Sequence, residues 1–215
     1  MKQIVKTSRL AGQLEKLFRM LNNDFFDGQL PEVVVTIQAT SRAWGHYSTF
    51  NAWDVKDGGK REINIAAGGL DRPIEQIIAT LMHEMVHEYN DLVLNVQDCS
   101  NKGVYHNKHF KEAAEAHGLI VTRSEKYGWS YTEPGDALIE WILENDIPDI
   151  QMHRNEPGGL WITGGDTAAN GGTPINPPKK SSSIRYHCPV CGAIARTTRP
   201  LNLICGDCIQ TMITE

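Results

Sequence analysis

The stretch Leu81-Met82-His83-Glu84-Met85-Val86-His87-Glu88 constrains this chain more than any other part of it. On a helix, residues four apart lie one above the other on one face, so His83 and His87 can aim two imidazole nitrogens at a single metal ion. Glu84 falls about 100° further round, beside such an ion rather than on it, where it could hold a water that the metal has polarised. The plain alternative is a surface helix with two unrelated histidines, and the context has to decide between them. Ile74, Ile77, Ile78, Leu81 and Met85 form an apolar stripe, while Thr80, His83, His87 and Asn90 share a different face. The spacing therefore predicts a helix from about residue 73 to the low nineties, with one side in the core and the other free for a site. Asp71 is the expected N-cap, and Pro73 suits the first turn.

Upstream, Leu10, Leu14, Leu17, Phe18, Leu21 and Phe25 recur at three- and four-residue steps and predict an amphipathic helix over 9–26, ended by Asp27-Gly28 and Pro31. The β-branched run Val33–Ile37 predicts a strand, a second is expected from Trp44 to Phe50, and Glu62–Ala66 reads as a third of alternating polarity after a turn at Asp57–Lys60. These make a small sheet, antiparallel in part, packed on the first helix. Downstream, alanines at 113, 114 and 116 favour a helix that Gly118 caps, and Leu119–Arg123 reads as one more short strand. Asp136 is expected to cap a last helix, Ala137–Glu144, that packs through Leu138, Trp141 and Ile142. The fold class is α+β.

A catalytic zinc usually keeps three protein ligands and an open position. The longer motif with a third His six residues after the second is absent, because Val93 stands there. Glu112 or Glu115 could supply a carboxylate ligand instead. So could a histidine near the start of the next helix: His106 lies 19 positions after His87, with His109 three further on and His117 near that helix's end. For the second ring nitrogens of the ligands, Asn90 or Asp91 could act as acceptor. Tyr105 is a conceivable transition-state donor, with packing as its plainer role. His46 and His153 read as ordinary surface or half-buried residues, and Cys99 as an inert lone thiol.

Residues 151–183 change character, with Gly-Gly pairs, Pro177-Pro178 and Ser181–Ser183. They read as a flexible or semi-extended linker in which Leu160-Trp161-Ile162 alone could dock back. Beyond it, Cys188-x₂-Cys191 and Cys205-x₂-Cys208 are separated by 13 residues. Four thiolates on two knuckles suit a closed tetrahedral structural zinc, and so short a segment could scarcely fold without one. The division expected is 1–150, a linker at 151–183, and a four-cysteine module at 184–215. Residues 1–150 carry 15 Lys/Arg against 22 Asp/Glu, whereas residues 179–215 carry five against two. The bulk of the chain is therefore no basic nucleic-acid platform, and Arg185, Arg196 and Arg199 of the tail are the candidate phosphate contacts. There is neither a membrane span nor a secretory signal, so a cytoplasmic location is expected, with nucleoid association where the tail meets DNA. In that compartment cysteines serve metals more often than disulfides.

Four blocks in order resemble the SprT-like metallopeptidase family, which includes the Spartan proteases that degrade proteins crosslinked to DNA. They are Phe25-Phe26-Asp27-Gly28-Gln29-Leu30-Pro31, the segment ending in Ile63-Asn64-Ile65, Leu81–His87, and Tyr105-His106-Asn107-Lys108-His109-Phe110-Lys111. Together they span roughly residues 15–120. The resemblance implies a zincin-like minimal metallopeptidase domain. His83, His87 and His106 would bind a catalytic zinc, Glu84 would be the general base, and the four-cysteine tail would be a zinc ribbon of the kind that follows the peptidase in many members. It further implies a protein substrate, with DNA-associated or DNA-crosslinked proteins as candidates, and DNA as a partner of the ribbon. Where members often have a small residue after the second histidine this chain has Glu88, which implies unusual charge beside the ligands. The reading from another class is a non-catalytic zinc protein that binds nucleic acid or a protein through its ribbon. The oligomeric state is not legible.

Overall fold

A computed structural model describes residues 6–40, 43–56, 58–150, 152–154, 184–197 and 199–214, so most of the expected linker, Leu160–Ile162 included, lies outside the described residues. The first helix, α1 (Thr7–Phe25), buries Leu10, Leu14, Leu17, Phe18 and Leu21, the stripe its periodicity predicted. Its end is pinned by Asn22, whose side chain donates to the Leu30 carbonyl and accepts from the Leu30 amide at 2.9 and 3.0 Å. The chain reverses between them with Asp27 and Gly28 both at positive φ (53° and 69°), a conformation that glycine and Asp tolerate.

Strands β1 (Val34–Gln38) and β2 (Gly45–Tyr47) flank β5 (Glu62–Ala66) in a three-stranded sheet, β1 parallel to β5 and β2 antiparallel to it. All five residues of β5 are buried. Its Glu/Asn alternation suggested a half-exposed strand, yet Asn64 is enclosed because its side chain accepts from Thr36 and from the Gln38 amide and donates to Thr40. The expected turn at 57–60 is in part a strand, since β3 (Trp53–Val55) pairs with β4 (Gly58–Lys60) in a short hairpin.

Helix α2 (Ile74–Glu88) continues into a π-helical turn, Tyr89–Val93. Fourteen of its fifteen residues are buried, so the polar face expected to be open is enclosed as well. Asp71 does not cap it: the Ile74 amide points at Asp149 Oδ1, 3.4 Å away, a cap supplied by a residue 75 positions later. A second sheet was not foreseen. It holds β6 (Cys99–Ser100), β7 (Tyr105–His106), β9 (Gly128–Pro134) and β8 (Leu119–Ser124) in that spatial order. Helix α3 (Lys108–Ala116) is capped by Asn107, which accepts from the His109 amide at 2.8 Å. Helix α4 (Asp136–Glu144) starts after Gly135 without a side-chain cap from Asp136, and it buries Leu138, Trp141 and Ile142 as expected. One apolar cluster runs through α1, both sheets, α2, α3 and α4.

The tail forms a three-stranded antiparallel sheet with β10 (Ile184–His187) between β11 (Ile194–Thr197) and β12 (Ile213–Thr214). Its own core is small: Tyr186, Cys188, Cys205 and Met212. It also touches the larger body, because Arg196 lies 2.5 Å from Asp149 and 3.8 Å from Glu75, while Arg185 lies 3.7 Å from Asp149. Among the described residues no helix is long and apolar enough to cross a membrane.

Candidate metal centre

The i,i+4 spacing of α2 brings His83 and His87 together, and β7 carries His106 across to them. His83 Nε2 and His87 Nε2 each stand 3.2 Å from His106 Nε2. Ligands held tetrahedrally at about 2.05 Å stand about 3.3 Å apart, so His106 already stands from each of the other two at the separation a zinc ion demands, and all three ligand atoms lie within 4.8 Å of one another. Outward-facing partners fix the rings. His87 Nδ1–H donates to Asp98 Oδ2 at 2.7 Å, and His83 Nδ1 is hydrogen-bonded with Thr132 Oγ1 at 3.1 Å. The bond to Asp98 leaves His87 Nε2 with its lone pair toward the centre. Asn90 donates to the same Asp98 oxygen at 3.0 Å. Phe110 packs on all three imidazoles, with ring centroids 4.5 to 4.7 Å away.

Electrostatics favour neutral rings, the form that binds metal. Burial, then the neighbouring His87 and His106, pushes His83 well below its ordinary value. Burial and His87 push His106 down to about 3, against Asp98 and the carbonyls of Tyr127 and Val104. His83 and His106 are fully buried, and His87 is 5% exposed. Glu84 is fully buried beside them, where β2 makes room for it: a Cβ on Gly45 would sit 2.9 Å from Glu84 Oε1. The unusual electrostatics expected at Glu88 take the form of a raised carboxyl: burial, opposed by Arg61 and reinforced by Asp91 and Glu32, pushes it up to about 8.

The other sequence candidates fall elsewhere. His109 is exposed, and only its backbone amide engages Asn107. His117 stacks on Phe26 at 4.2 Å, and its Nδ1–H donates to the Ala113 carbonyl. Neither Glu112 nor Glu115 joins the group. His46 stands 3.5 Å from Glu62, and His153 is exposed. Tyr105 accepts from Arg123 at 3.3 Å. The acceptor role foreseen for Asn90 or Asp91 belongs to Asp98, with Asn90 behind it, while Asp91 is occupied by Arg61 and Tyr47. Asp98, Thr132 and Gly45 were missed in the sequence; the loop position of Asp98 and the unforeseen strand carrying Thr132 give no periodic signal. Cys99 faces a cavity of about 650 Å³ beside His87, also lined by Tyr47, Phe50, Val96, Asp98 and Lys102. Burial and Asp98 push its thiol up, which suits an unreactive residue.

The SprT-like family model matches residues 14–126. The chain belongs to the SprT-like family. No curated protein and no solved structure matches it. The SprT-like segment holds the three histidines and stops before the tail, where Cys188, Cys191, Cys205 and Cys208 bring their sulfur atoms within 4.8 Å of one another. Backbone N–H groups of Cys191 and Val190 pull the Cys188 thiol down to about 7, whereas contact with Cys191 holds Cys208 up at about 12. Four neighbouring sulfurs ionise together only around a cation, so this donor set also fits zinc. Of the tail's three arginines, Arg185 and Arg196 face Asp149, and Arg199 is exposed.

Proposed function

We propose that this SprT-like chain is a zinc-dependent endopeptidase of zincin-like build acting on protein substrates, with DNA-associated or DNA-crosslinked proteins as the class to test first. The convergence of the three Nε2 atoms at 3.2 Å, with Glu84 buried alongside, carries the reading. His83, His87 and His106 would hold the ion, which when bound supplies Lewis acidity toward water and a peptide carbonyl. Glu84 takes the proton of the attacking water and returns it to the leaving amine. Asp98 and Thr132 keep two imidazoles in register. We further propose the division 1–150, 151–183 and 184–215 into peptidase, linker and zinc ribbon, the last holding a structural zinc and working in the cytoplasm or on the nucleoid.

DNA recruitment by the ribbon has Arg199 exposed for it, but Arg185 and Arg196 would first have to leave Asp149. The rival, a non-catalytic zinc protein, does not account for a buried glutamate beside the three histidines, since a structural site needs no general base. The test compares the zinc-loaded protein with Glu84→Gln on a DNA–protein crosslink and on an unfolded protein. Cleavage abolished by the substitution at unchanged zinc content supports the peptidase. Full zinc occupancy without cleavage of either substrate, with or without DNA, rejects it.

A further inference from the structure

Arg72 lies between Gly69, in the 3₁₀ turn after β5, and α2. Its Nε donates to the Gly69 carbonyl at 2.8 Å and its Nη2 to Thr80 Oγ1 at 3.1 Å, while its Cζ stacks 4.2 Å over the Trp44 ring. Thr80 is held in turn by a bond to the Gln76 carbonyl. Gly69 has no room for a side chain because the indole of Trp44 occupies that space. A guanidinium has five donors, and these contacts use two of them. No carboxylate forms an ion pair with Arg72 among the described residues, although the group is half-buried. Burial, only partly offset by the charge of Asp71, pushes it down to about 10. A half-desolvated cation fixed on three sides, with only the neighbouring Asp71 to offset its charge and no direct ion pair, is costly to fold, which is the signature of a site that takes an anion.

Its place says which anion. Thr80 lies one turn before Glu84 on the same face of α2, and Trp44 immediately precedes Gly45, the residue that abuts Glu84. The cavity beside His87 is lined by Tyr47, Ser48 and Thr49, at the end of β2 away from Trp44. Strand β2 is the outer strand of its sheet, and an extended peptide added to it antiparallel runs from the His87 end toward Trp44. One helical turn of about 5.4 Å corresponds to about two residues of extended chain. We propose that Arg72, stacked on Trp44, is a specificity-determining residue that binds a substrate carboxylate about two residues C-terminal to the scissile bond. The inference rests on the peptidase reading for its direction along the cleft. A carboxylate there has two sources, an acidic side chain or the C-terminus of the chain being cut.

Binding separates this inference from the activity. Zinc-loaded full-length protein carrying Glu84→Gln is titrated with fluorescent peptides that are identical except for Glu or Gln at that position, both C-terminally amidated. A third peptide carries Gln and ends in a free carboxylate there. We expect the Glu or the free-carboxylate peptide to bind about tenfold tighter than the amidated Gln peptide, as charge-assisted pairing to a fixed guanidinium implies. Which of the two gains identifies the source. Adding Arg72→Met should remove the advantage and Arg72→Lys should keep part of it, with zinc content and circular dichroism unchanged. Equal binding of all three peptides, no binding of any, or an advantage that survives Arg72→Met overturns the proposal. Should the preference hold while the protein with Glu84 intact leaves the bound peptide uncut, the peptidase reading fails and the carboxylate site stands.

Discussion

The three histidines and the four cysteines are both donor sets that fit zinc, but they sit in opposite surroundings. His83, His87 and His106 are enclosed in a body whose core includes Phe18, Phe26, Ile63, Ile65, Leu81 and Phe110, with His87 bordering a cavity. The cysteines belong to a sheet whose core is Tyr186, Met212 and two of the cysteines themselves, while Val190, Ile194, Ile204 and Ile209 stand exposed around it. At the first centre the fold positions the ligands. At the second the cysteines make up much of the core, so the tail's order is expected to depend on an ion. One arrangement suits an open chemical site and the other a staple.

The contrast breaks most directly at Cys205. Replacing it with Ser, or stripping the metal, should unfold residues 184–214 almost completely, since apparent zinc-binding energies of about 10–16 kcal/mol underwrite small modules of this kind. The readout is the loss of dispersed amide signals from β10 to β12, while His83→Ala leaves the helical circular dichroism intact. A tail that keeps its protected amides without zinc would erase the distinction.

Next in size is Phe110→Ala, which removes a fully buried ring that touches all three imidazoles. Urea unfolding should show a loss of about 3–5 kcal/mol. A loss under about 1 kcal/mol would mean that the histidines are not held by the surrounding core. Asp98→Asn is the finer cut. It should weaken metal binding about 10–100-fold in competition with a chelator, because His87 loses its orienting carboxylate. The melting temperature should move little, which separates positioning from folding. Undiminished affinity would place the orienting work elsewhere.

The smallest effect concerns the contact between the two regions. The Arg196 side chain is 11% exposed and reaches both Asp149, which faces the start of α2, and Glu75. Arg196→Ala should cost about 1–2 kcal/mol, less than a fully buried pair because Asp149 is partly solvated. Proteolysis in the segment before β10 should quicken, and the difference should shrink as salt is raised. Equal rates for parent and variant would show that the tail gains nothing from this contact.

Sequence by itself determined whatever depends on local period and spacing. The stripes of α1 and α2, the His83–Glu84–His87 face, the paired cysteine knuckles and the packing side of α4 are all set by residues within a few turns of one another. The choice of His106 came from resemblance, and its Nε2 stands 3.2 Å from those of His83 and His87. What involves partners far along the chain was decided only by the tertiary structure. Asp149 faces the start of α2 from 75 residues away, Thr132 meets His83 across 49, and Arg196 is drawn to Asp149 although its composition suggested phosphate. Strands β6, β7 and β9 escaped notice because two have only two residues each and the third mixes Gly, Ser, Thr and aromatics. Glu88 shows the reason most plainly: its carboxyl is pushed up first of all by desolvation, and desolvation is a property of the assembled core rather than of the residue.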